Sequence, residues 1–169
     1  ELAVTNDGKF LAFKNETIAN LGAYARVFGT VTPTYLFGPC STGVYTIPAA
    51  YTNVKAVYTN TAPVDAYRGA GRPEATYTIE RLVEKAAMEL GIDRTEIRMK
   101  NFPTEFPFKQ TLVHTVDSGD YVAGLQKAKQ MSDYAGFDAR RKKSEANGKL
   151  RGIGVSSYFE ACGIAPSAV

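Results

Sequence analysis

Between Pro73 and Leu90 the apolar residues recur with the period of an α-helix, and this stretch sets terms for the rest of the chain. Ala75, Ile79, Leu82, Val83, Ala86, Ala87 and Leu90 fall three and four positions apart. They therefore share one helical face, and that face has to be covered by other parts of the chain. Both ends carry matching signals. Pro73 suits a first helical position, where the missing N–H would have no partner anyway, and Gly91 suits the position just past a helix end.

The covering material has to come from shorter pieces. Asn6-Asp7-Gly8 separates Leu2-Ala3-Val4 from Phe10-Leu11-Ala12-Phe13, which predicts a hairpin because Asp-Gly tolerates the positive φ of a tight turn. Residues 17–28 show no clean period, and Gly22 inside an apolar run predicts a bulge or a close backbone approach. Gly29, Pro33, Gly38, Pro39, Gly43 and Pro48 predict loops with short extended pieces over 29–48. Val54 to Thr59 alternates and predicts a strand. Asp93, with Glu96 three residues on, predicts a capped helix over 93–101. Residues 102–110, with two prolines and three phenylalanines, predict a loop that buries aromatics, as a local core plug or a subunit contact. Helical spacing returns over 120–134 and 136–147, ended by Gly148, and Gly152 to Phe159 reads as a strand. Strands, then helices, then a strand, without βαβ alternation, predict an α+β fold: a mixed sheet with packed helices.

Composition excludes several function classes. With 44% hydrophobic and 22% charged residues among 169, the chain can bury a core. A net charge of +3 is too balanced for a nucleic-acid surface, and no apolar run reaches the ~20 residues of a membrane span. Cys40 and Cys162 lie too far apart to hold zinc or an iron–sulfur cluster, and His114 is the single histidine. The chain opens at Glu1 without a leader-like segment and stops soon after a strand-like run, so a piece of a larger cytoplasmic protein is expected.

The richest stretch is Val57 to Ala75. A strand end and a turn at Pro63 lead through Tyr67-Arg68-Gly69-Ala70-Gly71-Arg72 into the helix. Glycines there let a backbone approach a ligand closely, helical N–H groups point back at the loop, and Arg68 and Arg72 bracket it with positive charge. Gly-Ala-Gly alone reads first as a plain strand–helix turn flanked by surface arginines.

The longer string resembles the active-site loop of the molybdenum hydroxylases, the molybdopterin-binding large subunits related to xanthine dehydrogenase, aldehyde oxidase and aerobic carbon monoxide dehydrogenase. Ala66-Tyr67-Arg68-Gly69-Ala70-Gly71-Arg72 is similar to the signature of the "form II" carbon-monoxide-dehydrogenase-like subunits. Ile18 to Tyr24, Gly43 to Pro48, Arg98-Met99-Lys100-Asn101-Phe102, Leu150 to Gly154 and Phe159 to Gly163 match other family segments in order. The resemblance implies a molybdopterin cofactor, as a cytosine dinucleotide, and hydroxylation of a small molecule, an aldehyde or an N-heterocycle, with oxygen from water. It implies a catalytic role for Arg68 and cofactor contacts from Tyr67, Gly69, Ala70, Gly71 and Arg72, with Glu160, Cys162 and Gly163 in the substrate pocket. It also implies partner subunits carrying 2Fe-2S clusters and FAD. Residues 1–135 would belong to a first cofactor lobe, and 136–169 to a linker helix and the opening strand of a second.

Departures from the pattern narrow this. Copper-binding relatives have cysteine where this chain has Gly69, and soft Cu(I) needs that thiolate. The purine-binding arginine of xanthine dehydrogenases has no counterpart in Thr34-Tyr35-Leu36-Phe37. The family's glutamate base and its upstream glycine-rich segment also have no counterpart here. The rival reading is a structural or assembly piece with no cofactor or activity of its own, prone to self-association through an uncovered strand edge. From the residues alone, Glu160 is either a site carboxylate or an exposed strand end, and Cys40 and Cys162 read as small buried hydrophobes. His114 reads as a satisfied or exposed strand residue, and Arg140 to Lys143 as a solvated basic run. Asn15-Glu16-Thr17 matches a glycosylation acceptor.

Overall fold

The computed structural model describes residues 1–160. Two strands, β1 (Leu2–Val4) and β2 (Phe10–Asn20), form the expected antiparallel hairpin, and Gly8 takes a φ of 87° in its turn. A third strand, β3 (Ala49–Val57), lies parallel to β2, Ala12 opposite Ala49 through Asn20 opposite Val57, giving the sheet order β1-β2-β3. The mixed sheet expected from the sequence is thus present.

Two boundaries differ from expectation. The third strand begins at Ala49, five residues earlier than predicted, and stops at Val57, because β2 ends at Asn20 and offers no partner beyond it. The connection over 21–48 is built from a π-helical turn (Thr32–Leu36) and a 3-10 turn (Gly38–Cys40) rather than extended pieces. Gly22 makes the predicted close approach: it has φ 77°, and a Cβ there would collide with the Ala62–Pro63 backbone.

Helix α1 (Arg72–Leu90) starts one residue before Pro73 and ends at Gly91, which adopts left-handed φ/ψ. Ala75, Ile79, Val83 and Ala87 from its apolar face are buried. Ile79, Val83 and Ala87 pack with Phe10, Phe13, Val44, Tyr45, Ile47, Ile97 and Phe102 into the main core, while Ala75 joins Phe37 and Cys40 in a second cluster. Aromatic rings run through it: Phe10 meets Tyr45 edge-on at 5.3 Å, Tyr45 stacks on Phe102 at 5.7 Å, and Phe102 meets Tyr121 at 5.6 Å. Such pairs contribute beyond the area they bury. Phe102 is therefore the core plug, while Phe106 and Phe108 are half-buried.

Helix α2 (Arg94–Lys100) is capped by Asp93, whose side chain accepts from the Thr95 and Glu96 N–H groups. Strands β4 (Phe108–Lys109) and β5 (Thr115–Val116) pair antiparallel, and α3 (Tyr121–Met131) and α4 (Phe137–Ala146) follow. In the basic run of α4, Arg140 pairs with Asp133 and Arg141 with Asp138, which dissipates its charge locally. Asn15 is only 8% exposed on the inner side of β2, and its amide oxygen accepts from Thr17, so it presents no glycosylation acceptor. No helix among the described residues is long and apolar enough to cross a membrane.

The strand expected over 152–159 is not one. The segment is extended, with alternating exposure, but joins no ladder. The Ile153 carbonyl accepts from Arg94 and the Val155 carbonyl from Arg98, so side chains of α2 occupy the positions a neighbouring strand would fill.

Candidate functional site

Beyond β3 the chain folds back over the end of β2. The Thr59 N–H donates to the Gly22 carbonyl, the Ala23 N–H to Thr61, and the Asn20 side chain accepts from the Gly22 N–H and the Thr59 hydroxyl. This fold-back returns the chain to the start of α1 through two overlapping turns, closed by the Ala70 N–H on the Tyr67 carbonyl and the Arg72 N–H on the Gly69 carbonyl. Gly69 and Gly71 sit at φ 90° and 83°. A Cβ on Gly71 would lie 2.5 Å from the Leu36 carbonyl carbon and 2.7 Å from the Phe37 nitrogen, so the loop rests directly on the turn at 36–37.

Arg72 organises this loop. Its guanidinium donates to the Gly69 and Ala70 carbonyls at 3.3 and 3.4 Å and pairs with the Glu160 carboxylate at 2.8 Å. Arg68, Gly69, Arg72, Pro73, Thr76, Tyr158 and Glu160 line a cleft of about 620 Å³. Arg68 makes no hydrogen bond or ion pair among the described residues, so its fork of donors is available at the mouth.

Behind the loop, the Cys40 Sγ lies 3.4 Å from His114 Nε2, and the His114 ring meets Phe159 edge-on at 5.8 Å. Burial pushes the Cys40 thiol up and Glu160 adds to this, while Arg72 pulls it down. Burial, helped by Arg72, holds His114 below its ordinary value. At neutral pH this pair is therefore uncharged, a protonated thiol beside a neutral imidazole.

Of the residues singled out from sequence, Arg68, Gly69, Arg72 and Glu160 share the cleft. Tyr67 is 89% exposed and does not line it. Gly71 faces the turn at 36–37, and Ala70 contributes its carbonyl to Arg72. Cys162 and Gly163 lie outside the described residues. Thr76 and Tyr158 line the cleft without having been anticipated, and the Cys40–His114 contact spans 74 positions with no local signal to announce it. No group of three or more potential metal-ligating His, Cys, Asp or Glu side chains occurs among the described residues. The cleft is suited to bind and orient an oxygen-rich anion through Arg68 and the glycine loop.

Comparison with known proteins agrees with this geometry. The carbon monoxide dehydrogenase large chain of Hydrogenophaga pseudoflava is 41% identical over 175 residues, covering 99% of this chain and 22% of that protein. The 6-hydroxypseudooxynicotine dehydrogenase complex subunit gamma of Paenarthrobacter nicotinovorans is 33% identical, over 97% of this chain and 21% of its own length. The crystal structure of quinoline 2-oxidoreductase from Pseudomonas putida 86 superposes with a TM-score of 0.80 at 33% identity, over 87% of this chain and 19% of that one. The chain thus spans about a fifth of the length of these relatives. A family model for the molybdopterin cofactor-binding domain matches residues 1–102, the segment that carries the sheet, the glycine–arginine loop and α1, and the chain belongs to that family.

Proposed function

We propose that this chain forms part of the large subunit of a molybdenum-dependent oxidoreductase that hydroxylates an N-heterocycle or an aldehyde with oxygen drawn from water. The observation that carries this reading is Arg68, uncommitted at the mouth of the cleft beside a glycine whose backbone is open to close approach. The fit is one of donor type and charge: a guanidinium beside a positive-φ glycine matches the phosphate and oxo groups of a pterin cofactor. Molybdopterin, when bound, supplies the redox chemistry.

In this reading Arg68 and the Gly69 backbone hold the anionic side of the cofactor and orient substrate beside it. Arg72, which also lines the cleft, holds the Gly69 and Ala70 carbonyls and so fixes the loop. Cys40 and His114, packed beyond the cleft lining, carry no charge at neutral pH, so that the arginines dominate the local field. Gly69 supplies no thiolate, which favours heterocycle or aldehyde over carbon monoxide. The similarity to quinoline 2-oxidoreductase and to the pseudooxynicotine enzyme points the same way. The cytosine dinucleotide form, partner subunits with 2Fe-2S clusters and FAD, and a cytoplasmic location belong to the same proposal. So does a division into residues 1–135 as part of a first lobe and 136–169 as a linker into a second. The sparse contacts of α4 with the rest of the chain are in keeping with that division.

The test is to purify the full-length subunit containing this chain from a host that makes molybdopterin. Molybdenum and pterin are quantified, and quinoline and benzaldehyde oxidation assayed with an artificial electron acceptor. Stoichiometric cofactor with turnover of either substrate is expected. A full-length subunit that folds without retaining pterin would return the chain to a structural role.

A further inference from the structure

We propose that Arg98, assisted by Arg94, is a positioning residue for the Arg68–Arg72 loop, acting through the extended segment 153–160. Arg98 lies in α2 and is fully buried, and its guanidinium is saturated. Nε and Nη2 reach the Glu80 carboxylate at 3.0 Å, Nη1 donates to the Arg94 carbonyl at 2.6 Å and faces Glu84 at 3.5 Å, and Nη2 donates to the Val155 carbonyl at 3.1 Å. Arg94 donates to the Ile153 carbonyl at 2.8 Å and pairs with Glu84 at 3.0 Å. The Ser157 backbone also faces Glu80 and favours its charged form.

In an extended chain the carbonyl and amide of every second residue point to the same edge. Residues 153, 155 and 157 therefore present one edge to three side chains of α1 and α2, and half-buried and exposed residues alternate along the segment through Glu160. The arginines and Glu80 set its register as a ladder would. The segment runs along α1 toward its start: Tyr158 shares the cleft with Thr76, Phe159 packs on the cluster of Phe37, Cys40 and Ala75, and Glu160 meets Arg72. Arg72 in turn holds the Gly69 and Ala70 carbonyls. A slip of two residues would carry Glu160 about 6.6 Å along the segment, out of reach of Arg72.

A residue as buried as Arg98 also stabilises the fold, so the test separates position from stability. Phe159 packs on the cluster that holds Cys40, itself 6% exposed, and Cys40 thus reports whether the far end of the segment is docked. In the full chain, N-ethylmaleimide labelling of the Cys40 peptide and amide exchange of the peptide spanning 155–160 are followed by mass spectrometry. The variants are Arg98→Lys, Arg94→Met and, as a core-destabilised control, Val83→Ala. Lysine keeps the charge that faces Glu80 but lacks the second arm that holds Val155. Arg94 is partly exposed, so Arg94→Met keeps the test available if Arg98→Lys does not fold.

The two arginine variants are expected to label Cys40 at least tenfold faster than wild type. The pH midpoint of labelling should fall, because both burial and Glu160 raise that thiol. Val83→Ala should stay within threefold of wild type. Unchanged labelling in either folded arginine variant, or an equal rise in Val83→Ala, overturns the proposal. The inference rests on the functional reading only in treating the loop as a site. Cys40 labelling tests the segment itself, and pterin retention by the full-length subunit tests that reading separately.

Discussion

Replacing Gly71 with alanine should destabilise the chain more than the same change at any other positive-φ glycine of the loop–helix unit. Two costs add at this position. A non-glycine residue held at φ 83°, ψ −31° lies outside the ordinary allowed regions, at about 1–3 kcal/mol. The new Cβ would also sit 2.5 to 2.7 Å from backbone and Cβ atoms of Leu36 and Phe37. Backbone cannot rotate aside as a side chain can, so relief requires the turn at 36–37 to move, at about 1–3 kcal/mol more. The sum is centred near 4 kcal/mol. Gly91→Ala is the internal control: it has a left-handed φ of 65° and nothing within 4 Å of the added Cβ, so it should cost only about 1–2 kcal/mol. Gly69→Ala falls between, since its Cβ would meet the Pro73 ring at 3.4 Å, an ordinary contact. Urea unfolding reads these directly. With a slope of about 2 kcal/mol per molar, Gly71→Ala should lower the midpoint by roughly 2 M and Gly91→Ala by roughly 0.5–1 M. Midpoints for the two variants within about 0.3 M of each other would refute the reasoning, because the loop would then not rest on that turn in solution.

Arg68→Lys in the full-length subunit should lower turnover at matched molybdenum loading while changing stability by no more than about 0.5 kcal/mol, since Arg68 has no partner within the described residues to lose; equal turnover would make it an ordinary surface charge. Metal analysis of the same protein should find molybdenum without stoichiometric copper, given Gly69, and one copper per molybdenum would contradict this. Burial pushes the Asp93 carboxyl up, but hydrogen bonds from Thr95, Tyr134 and the first N–H groups of α2 outweigh it and hold it at about 2. Its contribution is therefore complete above the ordinary 3.8 and lost as pH falls toward 2. Asp93→Ala should cost about 1 kcal/mol at neutral pH and flatten acid unfolding across that window. The isolated chain should self-associate through its uncovered strand edges, and a monodisperse monomer in light scattering would disprove it.

What could be read in advance was what short-range physics encodes. The α1 stripe, its Pro73 and Gly91 signals, the Asp93 cap and the Asp7-Gly8 hairpin all depend on neighbours in sequence, and Gly22 announced a close approach without naming its partner, the distant Ala62–Pro63 backbone. The parallel pairing of β2 with β3 does not, since its register joins residues on either side of a long connection. The segment 152–159 shows the limit most clearly. Its alternation is a genuine signal of extended backbone, but alternation does not say whether the partner is a strand or, as here, arginine side chains. At the site, Arg68 and the glycines stood out because loop chemistry is local, and the family resemblance assigned them roles that spacing alone left open. Cys40 and His114 read as unremarkable because their contact exists only after the sheet, the 36–37 turn and the β4–β5 hairpin have come together.

The parallel β2–β3 ladder also dictates an order of assembly. Its register pairs Ala12 with Ala49 and Asn20 with Val57, so closing it confines everything from residue 21 to 48 at once. The loop-closure entropy is lost before the ladder returns any contact. The β1–β2 hairpin and the α1–α2 pair face no such toll and can form as separate local units. The ladder should close last, templated by the hydrophobic surface those two units already present. The glycine–arginine loop joins β3 to α1, and its geometry is complete only when both ends are fixed. The site would then be the final part of this chain to take shape during folding.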